Sequence, residues 1–124
     1  MTLRIAAISS PASGETDRLL TETAQWLLDL GRVPAGVVRS ANGRVGRHAC
    51  DMDLQVLPDG PEIAITQDLG TGSRGCRLDP EALERAVFEV ETRLAAAPDI
   101  FILNKFGQQE AEGHGFRDAI GTAL

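Results

Sequence analysis

Two short apolar runs constrain this chain more than any other feature: residues 3–8 (LRIAAI) near its start and residues 99–103 (DIFIL) near its end. Each is nearly continuous rather than alternating, as in a strand buried on both faces, which occurs where helices cover a sheet on both sides. Helical stripes stand where such helices are needed. Leu19, Leu20, Thr23, Leu27 and Leu30 recur at helical spacing over residues 17–30, with Gly31 as the stop. Leu83, Ala86, Val87, Val90 and Leu94 do the same behind Asp79-Pro80, an N-cap followed by a first-turn proline, and Pro98 closes that helix.

Between the stripes, residues 33–38 (VPAGVV) predict a further strand whose proline and glycine suit a sheet edge better than its centre. Residues 51–57 and 62–69 alternate polar and apolar around the turn PDGP, with Met52, Leu54 and Val56, then Ile63 and Ile65, on the apolar side. They predict an antiparallel β-hairpin inserted at about residues 50–70. A last short helix is expected from Phe116. The order β-α-β, hairpin, α-β-α predicts an α/β fold with a mainly parallel sheet, helices on both faces and the inserted hairpin. Residues 1–124 are one domain on this reading, since the length serves one core and not two. Such folds usually add a strand after the final helix. A C-terminally truncated version is therefore expected, with a homodimer to cover the sheet edge left open.

Composition removes several classes of function. A net charge of −6 repels nucleic acid on average, and an aromatic content of 4% leaves little stacking surface for single strands. No segment approaches membrane-spanning length, the apolar run at the start is too short for a signal peptide, and two cysteines make no disulfide framework. A cytoplasmic protein is expected, with no membrane insertion and no nucleic-acid partner. Among the 12 basic residues, only Lys105 is a lysine. One lysine amid arginines points to a task for a compact ammonium.

Ligands of such sheets bind beyond the carboxyl ends of strands. The loop SSPASGET leaves the first apolar run and opens a helix, the setting of a phosphate-cradling loop: glycine, four free positions, then Gly-Lys-Ser/Thr. At that spacing the chain has Ser9, four residues that include Ser10 and Ser13, then Gly14, Glu15 and Thr16. Thr16 stands where a hydroxyl would meet magnesium, Ser9 replaces the first glycine, and Glu15 replaces the lysine. A carboxylate ~4 Å from a phosphate oxygen is repelled by about 4 kcal/mol at an effective dielectric of about 20, where a lysine is attracted equally. The motif is thus a degenerate Walker A sequence, and a Ser/Gly turn that only caps a helix is the plain alternative.

The second loop, NKFGQQEAEGHG, follows the last apolar run at Asn104 and Lys105, where a magnesium-associated strand prefers two acids. The exchange of charges predicts that Lys105 crosses to the first loop and either pairs with Glu15 or grips an anion. A solvent-exposed lysine at a strand end is the alternative. Glu110, Glu112 and His114 are candidates for acid–base work. Glu110 has the better position, although a glutamate there equally caps the following helix or pairs with an arginine. Arg74 and Arg77, with Arg44 and Arg47, sit on glycine-rich loops that suit a tetrahedral oxyanion. No metal site is expected; His48, Cys50 and Cys76 are a weak alternative for a soft metal, short of the four ligands of structural zinc.

The run DIFILNKFGQQEAEGHGFRDAIG, with GSRGCRLDPEAL upstream and IAAI at the start, resembles a bacterial domain family of unknown function. Its members are often encoded beside molybdenum ABC-transporter genes and are sometimes labelled as the transporter's ATP-binding protein. That family in turn resembles, distantly, the cancer-related nucleoside-triphosphatases, whose acid-bearing strand is followed by a glycine and a glutamate; Gly107 and Glu110 match those positions. The resemblance implies a molybdenum-related partner. Three functions follow. The leading one is a hydrolytically impaired P-loop-like protein that binds a nucleotide or small oxyanion and is accessory to molybdenum transport or use. The second is an active nucleoside triphosphatase with a relocated lysine, in which Lys105 and Glu110 are catalytic. The third is a structural partner subunit with an internal Glu15–Lys105 salt bridge. Magnesium is expected only with a nucleotide, and the cofactor is otherwise unknown.

Overall fold

The computed structural model describes residues 4–12, 14–40, 53–66, 78–105 and 108–124. Its elements run α1 (Glu15–Asp29), β1 (Pro34–Arg39), β2 (Asp53–Leu57), β3 (Glu62–Ala64), α2 (Pro80–Leu94), β4 (Ile100–Leu103), α3 (Gln108–Ala111) and α4 (Arg117–Ala123). The strands form one sheet in the order β3-β2-β1-β4. β1 pairs antiparallel with β2 and parallel with β4, and β2 pairs antiparallel with β3. The expected mainly parallel sheet is therefore a mixed one, with one parallel pair among three.

Alternation along the strands divides the core into two layers. On one face, Ala24 of α1 packs with Val38, Leu57 and Ile102, supported by Leu20 and Leu27. On the other face, Val37, Leu54 and Val56 meet the α2 stripe of Ala82, Leu83, Ala86, Val87 and Val90, together with Phe116 and Ala119. Helices on both faces and the β2–β3 hairpin are as the sequence predicts. So is the start of α2: the Asp79 side chain accepts from the backbone N–H of Glu81 and of Ala82, with Pro80 in the first turn.

Five expectations change. Residues 4–8 form no strand; Ile5 is 79% exposed and Ile8 48%. Apolar sequence supplies burial only where a neighbouring strand offers a ladder, and among the described residues none pairs with this one. β1 is an interior strand rather than an edge. Pro34 begins it, where no donor to a continuing ladder is needed, and Gly36, at φ 109°, lets the Ile102 backbone come close. Among the described residues β4 is the edge strand, and its first residue, Ile100, is exposed rather than buried. The loop after β4 contains the short helix α3. Of the expected 62–69 strand, Glu62–Ala64 forms β3 and Thr66 makes an isolated bridge with Leu78, while residues 67–69 lie outside the described residues.

Candidate functional site

The end of the sheet at which β1 and β4 finish in parallel lies beside the first turns of α1 and the start of the loop after β4. α1 runs back along β1, so its first turn lies beside the last residue of that strand. Thr21 Oγ1 is 3.1 Å from the Arg39 carbonyl oxygen and 2.9 Å from that of Asp17, and the Arg39 guanidinium meets the Asp17 carboxylate at 3.4 Å. The last β1–β4 pair is Val37 with Leu103. Asn104 and Lys105 therefore leave β4 at the level where Val38 and Arg39 leave β1. Two loops that are 90 residues apart in sequence are brought to one end of the sheet.

Gly14 opens α1 with φ 76° and no side-chain cap, a left-handed turn that glycine adopts readily. The preceding turn is held by Glu15 N–H donating to the Ala12 carbonyl at 3.3 Å and Ala12 N–H donating to Ser10 Oγ at 3.2 Å. Ser9 is exposed and Thr16 half-buried. Ser13 and Gly107 lie outside the described residues.

The charges pair differently from the expected exchange. Glu15 accepts from Arg18 at 3.0 Å, and Arg18 also reaches Glu22 at 2.9 Å. Hydrogen bonds to Glu22 and then to Glu15 raise the Arg18 pKa above its ordinary value. Lys105 is exposed and makes no ion pair with a described residue. The internal Glu15–Lys105 salt bridge is thus not formed. An arginine one turn along the helix has taken up the carboxylate, and the ammonium stays open to solvent.

Glu110 is buried in α3, and its Oε2 accepts from the backbone N–H of Phe116 at 3.1 Å, just ahead of α4. Glu84 of α2 receives the adjacent Gly115 N–H at 3.1 Å. A Cβ at Gly115 would overlap the Glu110 carboxylate. This is the capping role that the sequence offered beside catalysis. Glu110→Ala should leave the Phe116 N–H buried without its acceptor and lower stability by about 2 kcal/mol. Denaturant titration checks this, with Glu91→Ala, at an exposed position, as the near-neutral control.

A cleft of about 350 Å³ lies on the α2–α4 side, lined by Glu84, Phe88, Glu91, His114 and Asp118. Sequence reasoning singled out only His114 among these. The Glu84–Phe88–Glu91 spacing on the outer face of α2 is the signal that could have marked it. Three carboxylates make it a poor host for an anion. Among the described residues no group of three or more His, Cys, Asp and Glu is placed to hold a metal ion. Arg44, Arg47, His48, Cys50, Arg74, Cys76 and Arg77 lie outside the described residues. No described helix is long and apolar enough to cross a membrane.

No solved structure matches the chain significantly. A curated relative, the molybdenum import ATP-binding protein ModC 2 of Bradyrhizobium diazoefficiens, is 36% identical over 126 residues, which cover 98% of this chain and 14% of the relative. The chain thus corresponds to a minor part of that protein's length. Residues 5–124 match the sequence profile of one family throughout, and the chain belongs to that family, described as "Protein of unknown function (DUF2478)".

Proposed function

We propose that this chain binds a small oxyanion or a nucleotide at the carboxyl ends of β1 and β4, without hydrolysing it, as an accessory to molybdenum import or use. What supports this reading is that the Gly14 turn opens α1, whose first turns lie beside the carboxyl end of β1, while Lys105, without an ion pair to a described residue, follows the carboxyl end of the parallel β4, where α/β sheets hold their ligands. Ser9, Ser10, Gly14, Thr16, Asn104 and Lys105 are the proposed contacts. Glu15, neutralised by Arg18, repels an anion less than a bare carboxylate would. A turn of this kind without its lysine is a degenerate relative of the phosphate-binding loop, which supports binding over turnover. The similarity to a part of a molybdenum import ATP-binding protein supports the molybdenum association and a place on the cytoplasmic side of such a system. Magnesium enters with a nucleotide and not otherwise.

Hydrolysis is the weaker reading, because the carboxylate it would use, Glu110, already accepts a backbone hydrogen bond. Phosphate release from ATP or GTP with magnesium would overturn the non-hydrolytic reading.

Thermal-shift measurements with molybdate, tungstate, sulfate, phosphate, ATP and GTP test the binding, since a ligand at 100 times its Kd stabilises the native state by about 2.7 kcal/mol. At least one of these should raise Tm, and Lys105→Ala should weaken its binding. An ammonium 4 Å from an anion in a water-like dielectric contributes about 1 kcal/mol, so the expected loss is about fivefold. No shift with any of the six, or unchanged affinity in Lys105→Ala, would sink the proposal.

A further inference from the structure

The turn that leads into α1 is closed on itself. Its Glu15 N–H donates to the Ala12 carbonyl at 3.3 Å, and its Ala12 N–H donates to Ser10 Oγ at 3.2 Å. A loop that cradles a chain of phosphates points successive backbone N–H groups at the ligand instead. Two such donors are engaged here by the loop's own oxygens. The first residue of α1 is then Glu15, at the position where a phosphate-cradling loop sends its lysine to the β- and γ-phosphates. Asp17 adds a second carboxylate to the same helical turn.

The arginines of this end are committed to carboxylates. Arg18 gives one nitrogen to Glu15 at 3.0 Å and another to Glu22 at 2.9 Å, so its fork lies along the helix. Arg39, at the end of β1, reaches Asp17 at 3.4 Å. Lys105 is different in kind: a single exposed ammonium, a compact charge suited to one small anion rather than to several groups at once. Beside Gly14 there is room for such an anion, with nothing within 4 Å of the place a Cβ would take.

These features sort anions by the length of the charged chain. A dianion can use Lys105 and the serine hydroxyls. Each further phosphate brings negative charge toward Glu15 and Asp17 and finds N–H donors already taken. Magnesium offsets part of that charge and returns none of the donors.

We propose that the site takes a single tetrahedral oxyanion, a dianion of the sulfate or molybdate class, and discriminates against polyphosphate chains, nucleoside triphosphates included. The inference rests on the binding reading above and narrows it to one of its two ligand classes. An ordinary basic patch does the reverse, because attraction to fixed cations grows with the charge of the ligand.

Titration calorimetry at constant ionic strength is the test, with molybdate, tungstate, sulfate, phosphate, pyrophosphate, tripolyphosphate and ATP as ligands. The best single oxyanion should bind at least about 10-fold tighter than tripolyphosphate or ATP, with magnesium or without it. Glu15→Gln removes one carboxylate, and Coulomb energy is proportional to ligand charge. A gain of about threefold for a dianion should therefore accompany a gain of about ninefold for a tetraanion. Glu91→Gln removes an equal charge from the outer face of α2 and should move neither affinity. Affinity that rises from phosphate through tripolyphosphate, or ATP that binds as tightly as the best oxyanion, overturns the selectivity and leaves the binding reading standing. So does a Glu15→Gln gain no larger for ATP than for the dianion. If no ligand of the series binds, the binding reading itself falls, and this inference falls with it.

Discussion

Gly36→Ala should lower stability by about 4 kcal/mol, among the largest effects of any single substitution. Gly36 sits in the interior strand β1 at φ 109°, and its register partner in β4 is Ile102. Two costs add. A side chain at positive φ is strained by roughly 1–2 kcal/mol, and the new Cβ would also overlap the Ile102 carbonyl and press on the rest of its backbone. A backbone cannot rotate out of the way as a side chain can, so the strands must separate and lose hydrogen bonds. With about 4 °C of Tm per kcal/mol for a domain of this size, a fall of about 15 °C is expected in calorimetry. Gly14→Ala is the matched control. It shares the positive φ, at 76°, but has nothing within 4 Å of the new methyl, so only the conformational strain remains. Equal losses in the two variants would refute the steric account.

Leu54→Ala comes next, with an expected loss of about 3 kcal/mol from burial and the cavity left behind. Leu54 is 1% exposed, lies in β2, and belongs to the layer beneath α2. Its neighbours Val37 and Val56 are fully buried on the same sheet, so the void is walled by close-packed side chains that relax only in part. The denaturant midpoint should fall while the slope stays unchanged, since the surface exposed on unfolding is the same. Phe88→Ala removes a larger side chain, yet Phe88 is exposed on α2, and its loss should change stability by no more than ~0.5 kcal/mol. If the phenylalanine variant proved the more destabilised, the assignment of the core to this layer would be wrong.

Helices α1, α2 and α4 and the hairpin were legible because their signals are local, whereas the four-residue α3 was not. The α2 stripe, its Asp79-Pro80 start and the alternation in β2 each depend on residues within one element. Strand placement was not legible in the same way. VPAGVV looks like an edge because proline and glycine usually weaken a strand, but here proline falls at its first position and glycine meets the tightest contact in the sheet. LRIAAI reads as buried because its residues are apolar, and apolarity does not say whether a partner strand is in reach. At the candidate site, Thr21 and Asp17 set the start of α1 against Arg39, and the β1–β4 register puts Asn104 just past the same end of the sheet. What sequence reasoning missed is the partner of Glu15. Arg18 lies three residues further along the helix, the spacing at which side chains meet, and that local pairing forestalled a distant one.

The fit of Gly115 against the Glu110 carboxylate has an evolutionary corollary. The two positions cannot drift independently: a lineage that gains a methyl at 115 must first shorten or redirect the acid at 110, and the reverse order passes through a helix start without its acceptor. Among relatives, these sites should change together or not at all, and a double substitution should cost less than the sum of its single steps.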